Sequence, residues 1–288
     1  MIVVTGATGQ LGRLVIDALL RTQPAAQIVA AVRSPDKAAD LAARGVQVRK
    51  ADYSQPETLD GAFAGAEKVL LISSSEVGQR ASQHQAVIDA AKRADVALLA
   101  YTSLLHADSS PLALAHEHVQ TEAALAASGL PVALLRNGWY TENYAQTIPS
   151  ALEHGAVLGS AGDGRIASAA RADYADAAAA VLVSAQPQAG RVYELAGDSA
   201  YTLAEFAAEI AVQSGKSVVY RDLPQADYRA ALEQIGLPSP VADLLSDSDA
   251  GAAKGGLFDD GHALSQLIGR PTTPLAKVVQ DQLALSGQ

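Results

Sequence analysis

The 288-residue sequence predicts an α/β protein: a doubly wound parallel sheet with a smaller, mainly helical C-terminal lobe. Two observations predict it. Short runs rich in β-formers alternate with longer alanine-rich segments of helical spacing, the order that builds a parallel sheet. The short runs are apolar almost throughout instead of alternating, as burial on both faces by crossover helices requires.

Taken in order, strands are expected at residues 2–5, 27–32, 46–48, 68–72, 97–101 and 132–135, with helices over 11–21, 35–44, 57–64, 79–94 and 114–128 between them. Gly129 serves as the residue that stops the last helix. Each helix joins consecutive strands by a right-handed crossover. Beyond residue 135 the pattern loosens, with Pro149, Gly155, Gly159, Gly162 and Gly164 preceding a helical stretch from Ala172 and a strand at 192–195. Thr202 as N-cap and Glu205 three residues later form a capping box that opens the C-terminal lobe. The expected division is residues 1–141 plus about 170–197 for the sheet domain, and about 142–169 plus 198–288 for a discontinuous second lobe.

Composition removes several classes of function. With 49% hydrophobic and 18% charged residues the chain folds into a core and is not disordered. A net charge of -10 with no Lys/Arg cluster argues against nucleic acid and anionic membrane as partners. The lack of cysteine excludes a disulfide framework, a thiolate metal site and a cysteine nucleophile, and fits a reducing compartment. The apolar stretch 177–183 falls far short of the roughly 20 residues that span a bilayer. Residues 1–6 have no basic flank and read as a strand, not an export signal, so a cytoplasmic location without membrane insertion is expected.

Chemistry concentrates where predicted strands end. In Thr5-Gly6-Ala7-Thr8-Gly9-Gln10-Leu11-Gly12, three glycines at Gly-x-x-Gly-x-x-Gly spacing sit directly after a strand and directly before a helix. Gly6 turns the chain sharply, Gly9 lets amides approach a pyrophosphate, and Gly12 lets the helix pack close, while the helix N-terminus supplies partial positive charge. This is the signature of a Rossmann-type dinucleotide site; an ordinary tight turn is the competing reading. The second strand ends in Arg33, where an NAD-selective site would place an acid. A guanidinium fork matches the 2′-phosphate of NADP, and amides at a helix start beginning Ser34-Pro35 add to it. Against this stands a plain surface arginine diluted by Asp36.

Asp52 follows the third strand and Ser73, Ser74 and Ser75 the fourth, where small hydroxyls can line a cofactor or simply cap a loop. The same edge carries Tyr101-Thr102-Ser103 after the fifth strand and the donor-rich run from Arg136 to Asn143 after the sixth. There Asn137, Tyr140 and Asn143 could orient nicotinamide ring and acceptor, or form a capped loop entering the second lobe. His116 and His118 are two apart on a predicted helix and point different ways, and His84, His106, His154 and His262 are scattered, so no metal site is expected. No Gly-x-Ser-x-Gly elbow supports a hydrolase.

These residues together resemble the NmrA-like atypical short-chain dehydrogenase/reductases, close to the bacterial type 2 NAD(P)H-dependent quinone oxidoreductases. The resemblance spans essentially the whole chain. It is carried by Ile2-Val-Val-Thr-Gly-Ala-Thr-Gly-Gln-Leu-Gly12, Leu71-Ile-Ser-Ser-Ser-Glu-Val-Gly-Gln-Arg80, Tyr101-Thr-Ser-Leu-Leu-His-Ala-Asp108, Leu135-Arg-Asn-Gly-Trp-Tyr140 and Lys254-Gly-Gly-Leu-Phe-Asp-Asp260. It implies NADPH as hydride donor, a small-molecule quinone as acceptor and no flavin. It further implies cofactor contacts from Gly6, Ala7, Thr8, Gly9, Gln10, Leu11, Arg33, Ser73, Ser74, Ser75, Asn137, Gly138, Trp139, Tyr140, Thr141 and Glu142, and less directly from Arg171.

The superfamily's usual Tyr-x-x-x-Lys falls on Leu114 and His118, so its proton donor is missing. Hydride addition to a quinone leaves a phenolate-like oxygen of pKa near 10, far less basic than an alkoxide, so a dedicated acid is less needed. Positioning by Asn143 and Tyr140 is then expected to supply most of the catalysis. The alternative is an NADP(H)-binding redox sensor of the NmrA type that does not turn over.

Overall fold

The computed structural model describes residues 1–286. The chain runs β1 (Ile2–Thr5), α1 (Gln10–Leu20), β2 (Ile28–Val32), α2 (Ala39–Ala43), β3 (Gln47–Lys50), α3 (Glu57–Phe63), β4 (Lys68–Leu71), α4 (Arg80–Arg93), β5 (Leu98–Leu104), α5 (Ala115–Ser128) and β6 (Val132–Asn137). It continues through α6 (Thr141–Ala145), α7 (Ile148–His154), β7 (Ala156–Gly159), α8 (Arg171–Val183), β8 (Val192–Leu195), α9 (Leu203–Ser214) and β9 (Val219–Asp222). Four helices close it: α10 (Gln225–Gln234), α11 (Ser239–Ala252), α12 (Ala263–Ile268) and α13 (Leu275–Ser286). None of the helices among the described residues is long and apolar enough to cross a membrane.

Two compact units divide the chain. The first comprises Met1–Ala107, His116–Asn137 and Arg171–Tyr193; the second comprises Asp108–Ala115, Gly138–Ala170 and the chain from Glu194. In the first unit the sheet order is β3-β2-β1-β4-β5-β6-β8, with β1 to β6 paired in parallel. The order reverses beside β1, which makes the carboxyl ends of β1 and β4 the place where a doubly wound sheet opens a crevice. Successive residues face opposite sides. Val3 lies level with Val29 and Val69, and Val69 with Leu99, and these pack with Leu59, Phe63, Val87 and Ile88 of α3 and α4. Their neighbours Val4, Ala30, Leu70 and Ala100 point the other way and are equally buried, which is why the strands carry no polar alternation. Helix α8 packs on α1 and against β4 and β5. Lys68, at the amino end of β4, donates to the Leu182 carbonyl at 2.8 Å and so caps the last turn of α8.

Several elements differ from the sequence reading. The segment after β2 is not one helix: a four-residue 3-10 turn, Pro35–Ala38, precedes the short α2, so it offers no regular helix start to an anion. Strand β5 runs on through Thr102, Ser103 and Leu104, and β6 through Arg136 and Asn137, so these residues lie in strands and not in loops after them. The reason is pairing. Ser103 lies level with Arg136, both address Glu122 of α5, and the Arg136–Glu122 contact is bidentate at 2.7 and 2.9 Å. A buried charge with its partner supplied can extend a strand that would otherwise end at the first polar residue.

In the second unit, β7 and β9 form a parallel pair that the helical reading missed. Helix α9 opens with the expected capping box, the Glu205 amide donating to Thr202 Oγ1 at 3.2 Å and the Thr202 amide to the Glu205 carboxylate at 2.7 Å. Gly159 lies so close to Asp249 of α11 that an added Cβ would come within 2.7 Å of its carboxylate.

Candidate active site

In the first unit the glycine turn is set by its own backbone. Gly6 has φ +59°, and the Gly9 amide donates to the Gly6 carbonyl at 2.9 Å. A Cβ on Gly12 would meet that carbonyl oxygen at 2.4 Å and Ala7 Cα at 2.7 Å, so α1 can begin here only without a side chain at this position. Gly9 and Gln10 stay exposed while Ala7 and Leu11 are buried, which leaves the amides at the start of α1 facing outward. Beneath the turn, Thr5 Oγ1 donates to the Leu70 carbonyl at 2.9 Å and accepts from the Ile72 amide at 3.1 Å. The Tyr53 hydroxyl donates to the Ile72 carbonyl at 2.9 Å. β1 and β4 are thereby tied together at their carboxyl ends.

The loop after β4 is held just as firmly. The Ser73 amide donates to Thr102 Oγ1 and the Ser74 amide to Nε2 of the buried His84, both at 2.9 Å. Acceptance at Nε2 requires a neutral ring with its proton on Nδ1, which reaches Thr121 Oγ1 at 2.9 Å. Burial, aided by the Arg80 guanidinium, pushes His84 down to about 3 and keeps it neutral. The Ser74 hydroxyl is engaged by Gln83, and its carbonyl by Arg80 Nε at 2.7 Å. Ser75 is exposed. Asp52 closes its own turn by accepting from the Ser54 amide.

Arg33 projects from the end of β2 with its side chain 69% exposed, and its Nη1 lies 2.9 Å from Glu76. Asn137 ends β6, buried, its carbonyl accepting from the Leu105 amide at 2.9 Å. Since Lys68 caps the end of α8 at the amino edge of the sheet, the first residue of α8, Arg171, starts from the carboxyl edge. Gly6, Arg33, Ser73, Asn137 and Arg171 thus share one edge of the first unit.

The second unit presents Gly138 to Asn143. The Gly138 amide donates to the Leu195 carbonyl at 2.7 Å, and Trp139, Tyr140 and Thr141 are strapped to Ala169 by two backbone bonds and a parallel bridge. Thr141 Oγ1 lies 2.8 Å from Ser168 Oγ, which lies 2.7 Å from the Tyr201 hydroxyl. Thr141, Tyr144 and Ala145 are buried, whereas Tyr140, Glu142 and Asn143 are half-buried. Tyr140 and Asn143, three residues apart at the start of α6, lie on one side of the turn. Tyr144 faces inward, donating to Asp249 Oδ1 at 2.8 Å, while the Ser160 amide donates to Oδ2 at 2.9 Å.

Residues 6–185 match the family described as NAD(P)H-binding. Quinone oxidoreductase 2 of Escherichia coli K12 is 62% identical over 279 residues, 97% of either chain. The chain belongs to the NAD(P)H-binding family. Among solved structures, the NADPH complex of the E. coli NADPH-dependent quinone oxidoreductase QOR2 matches with TM-score 0.96 and 61% identity, covering 98% of this chain and all of that one. The Citrobacter triphenylmethane reductase complexed with NADP(H) matches with TM-score 0.94 and 38% identity, over the same share of this chain.

The residues of this family member suit a dinucleotide on structural grounds of their own. Gly6 and Gly9 are exposed and carry no side chain, so nothing of theirs covers the amides at the start of α1. Sequence reasoning missed Tyr53, His84 and Glu76. Glu76 is 43 residues from Arg33 in sequence, and the strand order β2-β1-β4 is what brings their loops within reach. The histidines carried no usable signal, because one-dimensional spacing does not show that His84 meets Ser74 or that His118 Nδ1 meets the Tyr101 hydroxyl at 2.7 Å.

Proposed function

We propose that this protein reduces small-molecule quinones to hydroquinones with NADPH. The observation that carries the reading is the likeness over almost the whole chain, at 61% identity and TM-score 0.96, to a quinone oxidoreductase complexed with NADPH. A cytoplasmic setting, where NADPH serves as reductant, goes with it.

The turn from Gly6 to Leu11 takes the pyrophosphate through the amides that its own bonds leave over at the start of α1, with the positive end of that helix behind them. Arg33 takes the 2′-phosphate as a planar fork. Ser73, Ser74 and Ser75 border the coenzyme along the β4 loop, and Asn137 to Glu142, with Arg171, border its nicotinamide end. Bound NADPH supplies one hydride, and a quinone that takes this hydride and one further proton becomes a hydroquinone. The chain's part is then to hold the acceptor close and aligned, which is worth many orders of magnitude in rate without any proton donor. Tyr140 and Asn143 do this from the start of α6, whose inner face is fixed by Tyr144 and Thr141. His118 is no acid at neutral pH, since burial pushes it down to about 3. The phenolate-like oxygen of the product, of pKa near 10, takes its proton from water.

The experiment is NADPH oxidation by a simple benzoquinone, corrected for the spontaneous reaction. Asn143→Ala is expected to lower kcat/KM by about 10- to 100-fold with NADPH affinity kept, a loss of roughly 1.4 to 2.7 kcal/mol in transition-state binding. Full activity in Asn143→Ala, or loss of turnover in His118→Ala instead, would remove Asn143 from the mechanism. Tight NADPH binding without any quinone-dependent oxidation would point to a redox sensor.

A further inference from the structure

The loop after β4 carries an acid to Arg33, and the role of that acid rests on the proposed reading of Arg33 as the residue that selects the coenzyme. Glu76 Oε1 lies 2.9 Å from Arg33 Nη1. Glu76 is not a loose surface side chain. Its Oε2 accepts from Gln83 Nε2 at 2.8 Å, and Gln83 is 5% exposed, with Nε2 also 3.1 Å from Ser54 Oγ and Oε1 engaged by the Ser74 hydroxyl. The Glu76 amide donates to Ser74 Oγ at 3.1 Å, and Ser74 is held in turn by the buried Arg80 and His84. Backbone and carboxylate are therefore anchored in the loop and α4, independently of Arg33.

We propose that Glu76 is a specificity-determining residue, a built-in anion that occupies the Arg33 guanidinium and must yield it to the 2′-phosphate of NADPH, so that it weakens NADPH binding and narrows the preference over NADH. A phosphate monoester carries about -1.5 to -2 charges near neutral pH and offers three acceptor oxygens, so it outcompetes one carboxylate for the guanidinium. The Gln83 anchor keeps Glu76 nearby after it yields. Its charge then stays within a Debye length of about 8 Å from the phosphate and repels it. NADH meets no such conflict, because its ribose 2′-hydroxyl can donate to the carboxylate. An exposed charge contact of this kind is weak, so the expected change in Kd is about two- to fivefold.

Glu76→Gln keeps the side-chain length and an oxygen for Gln83 while removing the charge. Kd for NADPH and for NADH would be measured by coenzyme fluorescence in wild type, Glu76→Gln, Arg33→Gln and the double variant. Glu76→Gln is expected to tighten NADPH by the stated factor without tightening NADH, with a gain that shrinks in added salt and vanishes when Arg33 is also replaced. Unchanged or weaker NADPH binding, or equal tightening of both coenzymes, overturns the proposal. If Arg33→Gln raises the ratio of the NADPH Kd to the NADH Kd while Glu76→Gln leaves it alone, the role of Glu76 alone falls. If Arg33→Gln leaves the ratio as in wild type, the reading of Arg33 falls and the role of Glu76 with it.

Discussion

At the scale of single residues, the glycine turn separates space from conformation. Gly12 has no unusual φ to protect; what it protects is the closeness of the Gly6 carbonyl, which a Cβ would meet at 2.4 Å. Because the obstacle is backbone and not a side chain that can swing aside, Gly12→Ala has to move the turn itself. Overpacking of this kind costs about 1 to 3 kcal/mol. We expect Gly12→Ala to lower the Tm and to weaken NADPH and NADH binding together. Gly61→Ala is the control: it lies within α3 with nothing inside 4 Å of its added Cβ, so about 0.5 to 1 kcal/mol of stabilisation is expected from helix propensity. A Gly12→Ala protein that bound both coenzymes as wild type does would break the link between the turn and the pyrophosphate. The three glycines were legible in the sequence because their chemistry is local. Arg33 was legible for the same reason, as the last word of one strand. Glu76 was not, since its meaning comes from a neighbour two strands away in the sheet.

At the scale of elements, α6 is five residues long and could not persist alone, so its shape is borrowed from what it touches. Tyr144 ties it to Asp249 of α11, and Asp249 also receives the first amide after β7. Burial pushes the Asp249 carboxyl up to about 6, against 3.8 when free, with the Ser160 and Tyr144 bonds opposing the rise. The folded state thus holds the proton more tightly than the unfolded chain does. This stabilisation is complete below about pH 4 and is lost as the pH rises through about 6, roughly 3 kcal/mol in all. Wild-type protein is expected to lose Tm between pH 5 and pH 7 from this source, and Asp249→Asn to lose that slope; identical pH profiles would show that the carboxyl does not titrate in this range. The capping box of α9 was readable from Thr202 and Glu205 alone, as the physics of a helix end spans four residues. The extension of β5 and β6 was not, because Ser103 and Arg136 look like strand ends until Glu122 arrives from α5 to receive them. The β7–β9 pair was hidden too: its strands are four residues each, 60 or so positions apart, and half of β9 is charged.

At the scale of the whole molecule, neither unit is a continuous stretch of chain. The alternation of runs up to residue 137 was enough to read the parallel sheet, and the helical stretch from Ala172 with the strand at 192–195 was read back into the same domain; what holds the returning segment Arg171–Tyr193 there is α8 packing against α1, β4 and β5. A chain ended at Ala170 would keep β1 to β6 yet lack both α8 and β8, leaving one face of α1 and the outer edge of β6 bare. We expect such a fragment to partition into the insoluble fraction and to bind no NADPH; a soluble fragment with native coenzyme affinity would show that the returning segment is dispensable. The same path through the fold orders events during synthesis. A ribosome must deliver the chain as far as Tyr193 before the nucleotide cradle has its full backing. Until then the nascent chain shows chaperones and proteases an apolar helical stripe that the finished protein conceals.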